Sequence, residues 1–349
     1  MVKEVRYAGA DGIRGFACLI VLGVHGAAMF FAQAFTSLVG MGKVGVWLFF
    51  VLSAFLLTSK FERSGFGAIS VLSYAVSRFI RIIPVFSVVV ILYYVFGTAG
   101  INSHADLKSA LTLRQGFGHL WTIPVEFKFY LFLPLFAFFI VKAKAAWGQA
   151  GALVASITLI AVQQGLWPYW LTPENSISTH WYLSSFTIGC YCAVSMDFFR
   201  KFNTPRIATV IGVTVVILMI LASPIMRNLL LGMPLDRWLM NKFVYLSLLW
   251  GAFVIFLADG QGVFGRILKS KFMRKMGAWS FSMYLAHWYF YASLANMYPN
   301  SLAWMFFAML CAVLFGAVLH VMVEAPIERG RHALQDHLTK FSRAQQSNT

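Results

Sequence analysis

Apolar runs long enough to cross a lipid bilayer recur along the whole chain. About ten stretches approach the roughly 20 residues that a bilayer core demands of a helix, near 12–31, 41–58, 83–98, 119–141, 150–166, 182–199, 207–224, 241–258, 277–296 and 302–323. The runs are continuous rather than alternating in polarity, which points to helices and away from a β-barrel. With 60% hydrophobic and 11% charged residues among 349, a soluble fold could not cover its own apolar surface, so lipid is the solvent for most of it. The expected fold is all-α, a polytopic integral membrane helical bundle of about ten transmembrane helices. No long polar linker divides the chain, so one domain is expected over 1–335, followed by a short polar tail over 336–349. The last residues, Ala344 to Thr349, read as disordered.

The net charge of +16 would suggest nucleic acid in a soluble protein. Here the basic residues sit in short loops between apolar runs, which is a topology signal, and no nucleic-acid partner is expected. With both termini cytoplasmic, roughly 20 of the 28 Lys and Arg residues fall on the inner side, against about six outside. Lys43, Lys108, Arg114, Arg227, Arg237 and Lys242 make up the outer set. The stretch Phe16 to Val24 resembles a signal-peptide core, but Arg14 and His25 bracket it and its cleavage would leave an odd number of spans. It reads as a retained first helix. Cys18, Cys190, Cys192 and Cys311 lie in or beside apolar runs, with neither disulfide nor zinc spacing, and read as small core residues. No metal ligand set is expected.

Ionisable groups inside a bilayer cost about 2.5–3.5 kcal/mol each, so Arg14, His25, Glu126, Lys128 and His287 need a reason to be there. Arg14 and His25 are three helical turns apart, on one face and roughly 16 Å apart along the axis. An imidazole, with an ordinary pKa near about 6.5, suits removal of a proton from a hydroxyl. The plainer alternative is a snorkelling arginine and a structurally hydrogen-bonded histidine. Arg78 and Arg81 precede Pro84 at the cytoplasmic edge and share a helix face. Two guanidinium groups there fit either the phosphates of a coenzyme A thioester or lipid headgroups. Glu126, in Leu120 to Tyr130, falls in a first helical turn if the helix begins near Pro124. There it would orient a histidine, bind a sugar hydroxyl, or only stabilise the helix start. Lys128 points away from it and reads as snorkelling. His287, in Ser280 to Trp288, fits a pairing with Glu126, a channel lining or a structural hydrogen bond. Walker A, HExxH and GxSxG motifs are absent from the sequence.

In order along the chain, these segments resemble the acyltransferase 3 family of membrane O-acyltransferases. Asp11-Gly12-Ile13-Arg14-Gly15 followed by His25 is similar to the family's opening Arg-x10-His motif. Gly45 to Phe55 resembles its second-helix signature, and Arg78 to Pro84 its basic third-helix start. Leu120 to Tyr130, Ser280 to His287 and Glu324-Ala325-Pro326 resemble later blocks. The resemblance implies a roughly ten-helix core in the bacterial inner membrane and an acetyl-CoA or other acyl-CoA donor from the cytoplasm. The implied acceptor is a glycan or lipid-linked glycan. It implies His25 as base or acyl relay, Arg14 as its essential partner, Arg78 and Arg81 on the CoA phosphates, and Glu126 and His287 along the reaction path. Trp47, Ala54, Phe127 and Lys128 depart from the family pattern, which bears on the acceptor. Larger relatives add an esterase-like domain; this chain is expected to act without one. The expected activity is O-acetyl transfer to a surface or exported polysaccharide. The alternatives are transfer to a small glycosylated metabolite, a succinyl donor, or a proton-coupled transporter using Arg14, His25, Glu126 and His287 as a proton path.

Overall fold

The computed structural model describes residues 7–330, and among these it is helix and loop with no strand. The α-helices in chain order are α1 (Ala10–Phe30), α2 (Ala32–Ser37), α3 (Met41–Ser64), α4 (Ala68–Val95), α5 (His104–Leu111), α6 (Thr122–Leu166), α7 (Leu183–Arg200), α8 (Pro205–Leu221), α9 (Pro224–Leu231), α10 (Phe243–Leu257), α11 (Gly262–Leu268), α12 (Lys271–Met297) and α13 (Leu302–Leu319). A π-helical turn, His320–Glu324, follows α13. Helix occupies each of the ten apolar ranges. By length and hydropathy five helical stretches qualify as membrane spans, or up to seven if each bent pair counts as one. The pairs are α8 with α9, bent by 78°, and α10 with α11, bent by 84°. The tail over 336–349 and the charges of Lys3, Arg6, Arg331, Lys340 and Arg343 lie outside the described residues.

Two boundaries differ from expectation. The third apolar range, placed at 83–98, is the second half of α4, which starts at Ala68. Arg78 and Arg81 therefore lie within a 28-residue helix rather than at its start, and Pro84 sits inside it. The charges at 78 and 81 lower the local hydropathy and hide the preceding turns. α6 carries two of the expected ranges and breaks at Trp147 and Gly148, where Gly148 adopts φ 62°. Gly151 folds back tightly there: a Cβ on it would meet the Ala143 carbonyl at 2.3 Å.

α1 lies between α12 and α3 at the centre of the bundle. Small residues set both contacts, as in membrane bundles where backbones approach closely. A Cβ on Gly277 of α12 would stand 1.7 Å from the Asp11 carbonyl, and one on Gly15 would meet the Met273 carbonyl at 2.7 Å. Higher up, Cys18 Sγ donates to the Ser280 carbonyl at 3.5 Å. The register runs parallel, residue 11 beside 277 and 18 beside 280, so it carries position 25 to the level of 287. On the other side, a Cβ on Gly45 of α3 would approach the Ala17 carbonyl to 2.6 Å. All four cysteines are free thiols, with Cys18, Cys190 and Cys192 buried.

Candidate active site

His25 and His287 meet across the α1–α12 contact. Their rings stack at 5.2 Å between centroids, and His25 Nδ1 lies 2.9 Å from His287 Nε2. His287 is fully buried, and its Nδ1 is 2.7 Å from the Tyr284 carbonyl. A carbonyl only accepts, so His287 Nδ1–H is the donor there. In the neutral ring Nε2 then carries the lone pair and accepts from His25 Nδ1–H. The remaining nitrogen of His25, Nε2, is thereby left with its lone pair outward. It faces Gly42 at the start of α3, where a Cβ would stand only 2.8 Å away. Glycine at 42 keeps this nitrogen uncovered.

His119 completes the cluster. It sits in the 3-10 turn Gly118–Trp121 that leads into α6, 3% exposed. Its ring stacks on Trp288 at 5.3 Å and lies 4.7 Å from His287. His119 Nε2 donates to the Leu285 carbonyl at 3.1 Å, which leaves Nδ1 as a buried lone pair without a hydrogen bond among the described residues. Sequence reasoning missed His119, although it opens the apolar range 119–141 and the intramembrane-charge criterion that found His25 applies to it equally. The Tyr93 hydroxyl donates to the same Leu285 carbonyl at 2.5 Å.

Glu126 is elsewhere. Ser53 Oγ donates to its Oε1 at 2.6 Å, and the Tyr130 hydroxyl donates to the same oxygen. Both partners are hydroxyl donors to the carboxylate. Of the alternatives open to His287, the pairing with Glu126 is not found and the structural hydrogen bond is: it is engaged by His25 and the Tyr284 carbonyl. α6 begins at Thr122, which places Glu126 just past the first turn. Lys128 reaches the Ile177 carbonyl at 3.4 Å, in the connection between α6 and α7.

These groups line two cavities. The inner one, of about 100 Å³ near the N-terminal half of α1, is bordered by Arg14, Arg78, Arg81, Glu126, Ser53 and Tyr130. Three guanidinium groups and one carboxylate make it cationic. Arg14 Nη1 is 3.6 Å from Asp11 Oδ1, and Arg81 Nη1 is 3.5 Å from Glu328 Oε1. The outer one, of about 240 Å³ near the C-terminal half of α1, is bordered by His25, Gly42, Lys43, His119, Trp121, Trp288, Glu174 and Arg237. Val46 and Tyr284 line both. Tyr284 is fixed: Thr122 Oγ1 donates to its hydroxyl at 2.9 Å, and that hydroxyl donates to the His119 carbonyl at 2.6 Å. The helix register thus puts Arg14, Arg78, Arg81 and Glu126 in one chamber and His25 in the other, with His287 packed behind it.

Of the positions where the chain departs from the family pattern, Trp47 is fully buried against Phe243, and its indole N–H has no partner among the described residues. Ala54 packs under Gly189 of α7, where a Cβ would approach it to 2.8 Å. Neither lines the two cavities. Further along, buried Glu324 accepts from Ser282 Oγ at 3.0 Å and pairs with His320 Nδ1 at 2.9 Å, on the π-turn.

Comparison with known proteins bears on the family of the chain. The O-acetyltransferase OatA of Staphylococcus aureus, in strains NCTC 8325 / PS 47, COL and MRSA252, is 23% identical over 310 residues, covering 80% of this chain and 50% of the relative. The chain therefore spans about half the length of the curated relatives it matches. No solved structure matches it. The family model described as an acyltransferase domain matches residues 7–322, nearly the whole chain and every group in both cavities, and the protein belongs to that acyltransferase 3 family.

Proposed function

We propose that this acyltransferase is a membrane O-acetyltransferase that moves an acetyl group from acetyl-CoA to a hydroxyl of an exported polysaccharide or its lipid-linked precursor. The observation that carries this reading is the pair of cavities sharing only Val46 and Tyr284, one cationic and one holding the exposed nitrogen of His25. The family match and the O-acetyltransferase relatives support the reaction class. In this reading the chain crosses the bacterial inner membrane about ten times with both termini in the cytoplasm, as the Lys and Arg distribution suggests.

The chemistry follows from what each chamber holds. The donor's phosphates bind at Arg78 and Arg81, for which guanidinium forks are suited. Its thioester reaches the partition at Val46 and Tyr284. In the outer chamber His25 Nε2 takes the proton of the acceptor hydroxyl. The oxygen attacks the thioester carbonyl, the C–O bond forms, the C–S bond breaks, and the proton passes from His25 to the departing thiolate. His287 holds His25 in the tautomer this requires and shares the positive charge that develops on it.

The test is acetyl-CoA turnover by the purified protein in nanodiscs with a polysaccharide acceptor. Turnover lost on His25→Ala, with the fold retained, supports the reading. Solute flux with no acyl turnover in the wild type refutes it in favour of a carrier.

A further inference from the structure

Lys43 is in an electrostatically unfavourable place. It is 9% exposed, in the first turn of α3, where the positive end of the helix dipole opposes an ammonium group. Its ammonium makes no hydrogen bond or ion pair among the described residues; it stands over the face of Trp121, 5.2 Å from the ring centroid. The charges that act on it are Glu174 and Arg237 at the same rim. Glu174 is already engaged by Arg237, whose Nη1 donates to it. No side chain caps the α3 N-terminus, and Gly40, Gly42 and Lys43 all line the outer cavity. A buried cation costs free energy unless it is paired, and a cation–π contact of about 0.5–2 kcal/mol offsets only part of that.

We infer that the outer cavity is an acceptor site for an acidic saccharide, with Lys43 as the counter-ion of its anionic group. This rests on the acyltransferase reading above and specifies its acceptor. The rim carries two cations and one carboxylate, so an entering anion meets net positive charge. Arg237 is 68% exposed and held by a surface pair worth about 0–1 kcal/mol, so it can turn to the same anion. Trp121 and Trp288 add aromatic surface to the cavity wall. Lys43 follows Gly42, which abuts His25 Nε2, so a sugar anchored through its anion at Lys43 presents a neighbouring hydroxyl to the base. An ammonium is a point charge and accepts a uronate carboxylate or a glycosyl phosphate alike.

The experiment measures binding, which needs no turnover. Wild type, Lys43→Met and Lys43→Arg in nanodiscs are titrated calorimetrically with three probes: a uronic-acid trisaccharide, its carboxyl-reduced counterpart, and the reduced trisaccharide bearing one phosphate. The wild type is expected to bind an anionic probe at least about tenfold tighter than the neutral one, less so at high salt. Which anionic probe gains identifies the group. The advantage disappears in Lys43→Met and survives in Lys43→Arg. Lys43→Met should melt at or above the wild-type temperature, since it removes an uncompensated charge; if it fails to fold, Lys43→Gln takes its place. Equal affinity for charged and neutral probes in the wild type overturns the inference, as does a preference that persists without the lysine charge. Anion preference without acyl transfer would count against the proposed function alone. Transfer to a neutral glycan with no anion preference would count against this inference alone.

Discussion

His25 Nδ1 and His287 Nε2 stand 2.9 Å apart, while the far nitrogen of His287 is tied to the Tyr284 carbonyl. A backbone carbonyl thereby dictates, through two rings, which nitrogen of His25 can act as a base. Replacing His287 by Phe removes the acceptor and leaves the His25 tautomer undetermined. The expected result is a fall in kcat of about 10²–10⁴-fold with little change in donor KM, measured by single-turnover acyl transfer. A purely structural role would lower the melting temperature and move both parameters together.

Gly42 guards access to that base. Ala at 42 places a methyl 2.8 Å from His25 Nε2, inside contact distance. We expect Gly42→Ala to cut acyl transfer by more than about tenfold, since misplacing reacting groups by an ångström costs about a hundredfold. Donor binding, measured separately by equilibrium titration, should be unaffected because the inner chamber is bordered by other residues. Weakened donor binding would show that the chambers are not independent.

Arg78 and Arg81 border the cationic chamber. The double substitution Arg78→Ala with Arg81→Ala should raise donor KM by more than about tenfold and leave acceptor KM nearly unchanged. Arg81 also pairs with Glu328 at 3.5 Å, so Arg81→Lys serves as the control that keeps the charge. Equal effects on both substrates would reduce the pair to an anchor.

The α1–α12 contact tolerates no added atom at Gly277, where a Cβ would overlap the Asp11 carbonyl at 1.7 Å. Gly277→Ala must separate the helices or shift their register. Overpacking costs about 1–3 kcal/mol or more, so a lower melting temperature in detergent is expected together with loss of the His25–His287 pair and of activity. Gly67→Ala, with open space around it, is the matched control.

In α9 Arg227, 6% exposed, donates to Asp236 Oδ1 at 2.7 Å and stacks over Trp238. The hydrogen bond from Arg227 holds the Asp236 carboxyl below its ordinary range. A depressed folded-state value means the stabilisation is complete above the ordinary carboxylate pKa of about 3.9 and is lost as pH falls through the lower folded value. Protection from hydrogen exchange in 232–242, relative to the intrinsic rate at each pH, should therefore fall only below about pH 4. Asp236→Asn should show the lower protection already at neutral pH.

The helices were largely legible because a bilayer imposes one length and one polarity on every span. The exceptions have physical causes. Arg78 and Arg81 hid the first half of α4, since hydropathy cannot see a helix that lines a polar chamber. The 78° and 84° bends after α8 and α10 fall at Ser223-Pro224 and at Gly260 and Gly262, turn residues too few to interrupt a run judged by hydropathy. Within the site, Arg14 and His25 stood out because charge inside lipid is costly. Their assignment to separate chambers depends on Val46 and Tyr284, two residues with no charge to draw notice. Among the roles left open for Glu126, its actual partners, Ser53 and Tyr130, gave no signal because they are ordinary hydroxyls. Lys43 read as one more outer loop charge, and only its burial distinguishes it.

The wall at Val46 and Tyr284 has an electrical consequence. A catalyst serving both faces of an energised membrane would short-circuit it if its two substrate paths joined into a wet pore. Each elementary charge leaking down 100 mV dissipates about 2.3 kcal/mol. In the proposed reading, one tyrosine, pinned by Thr122 and the His119 carbonyl, stands between the two substrate paths and would keep the insulator intact.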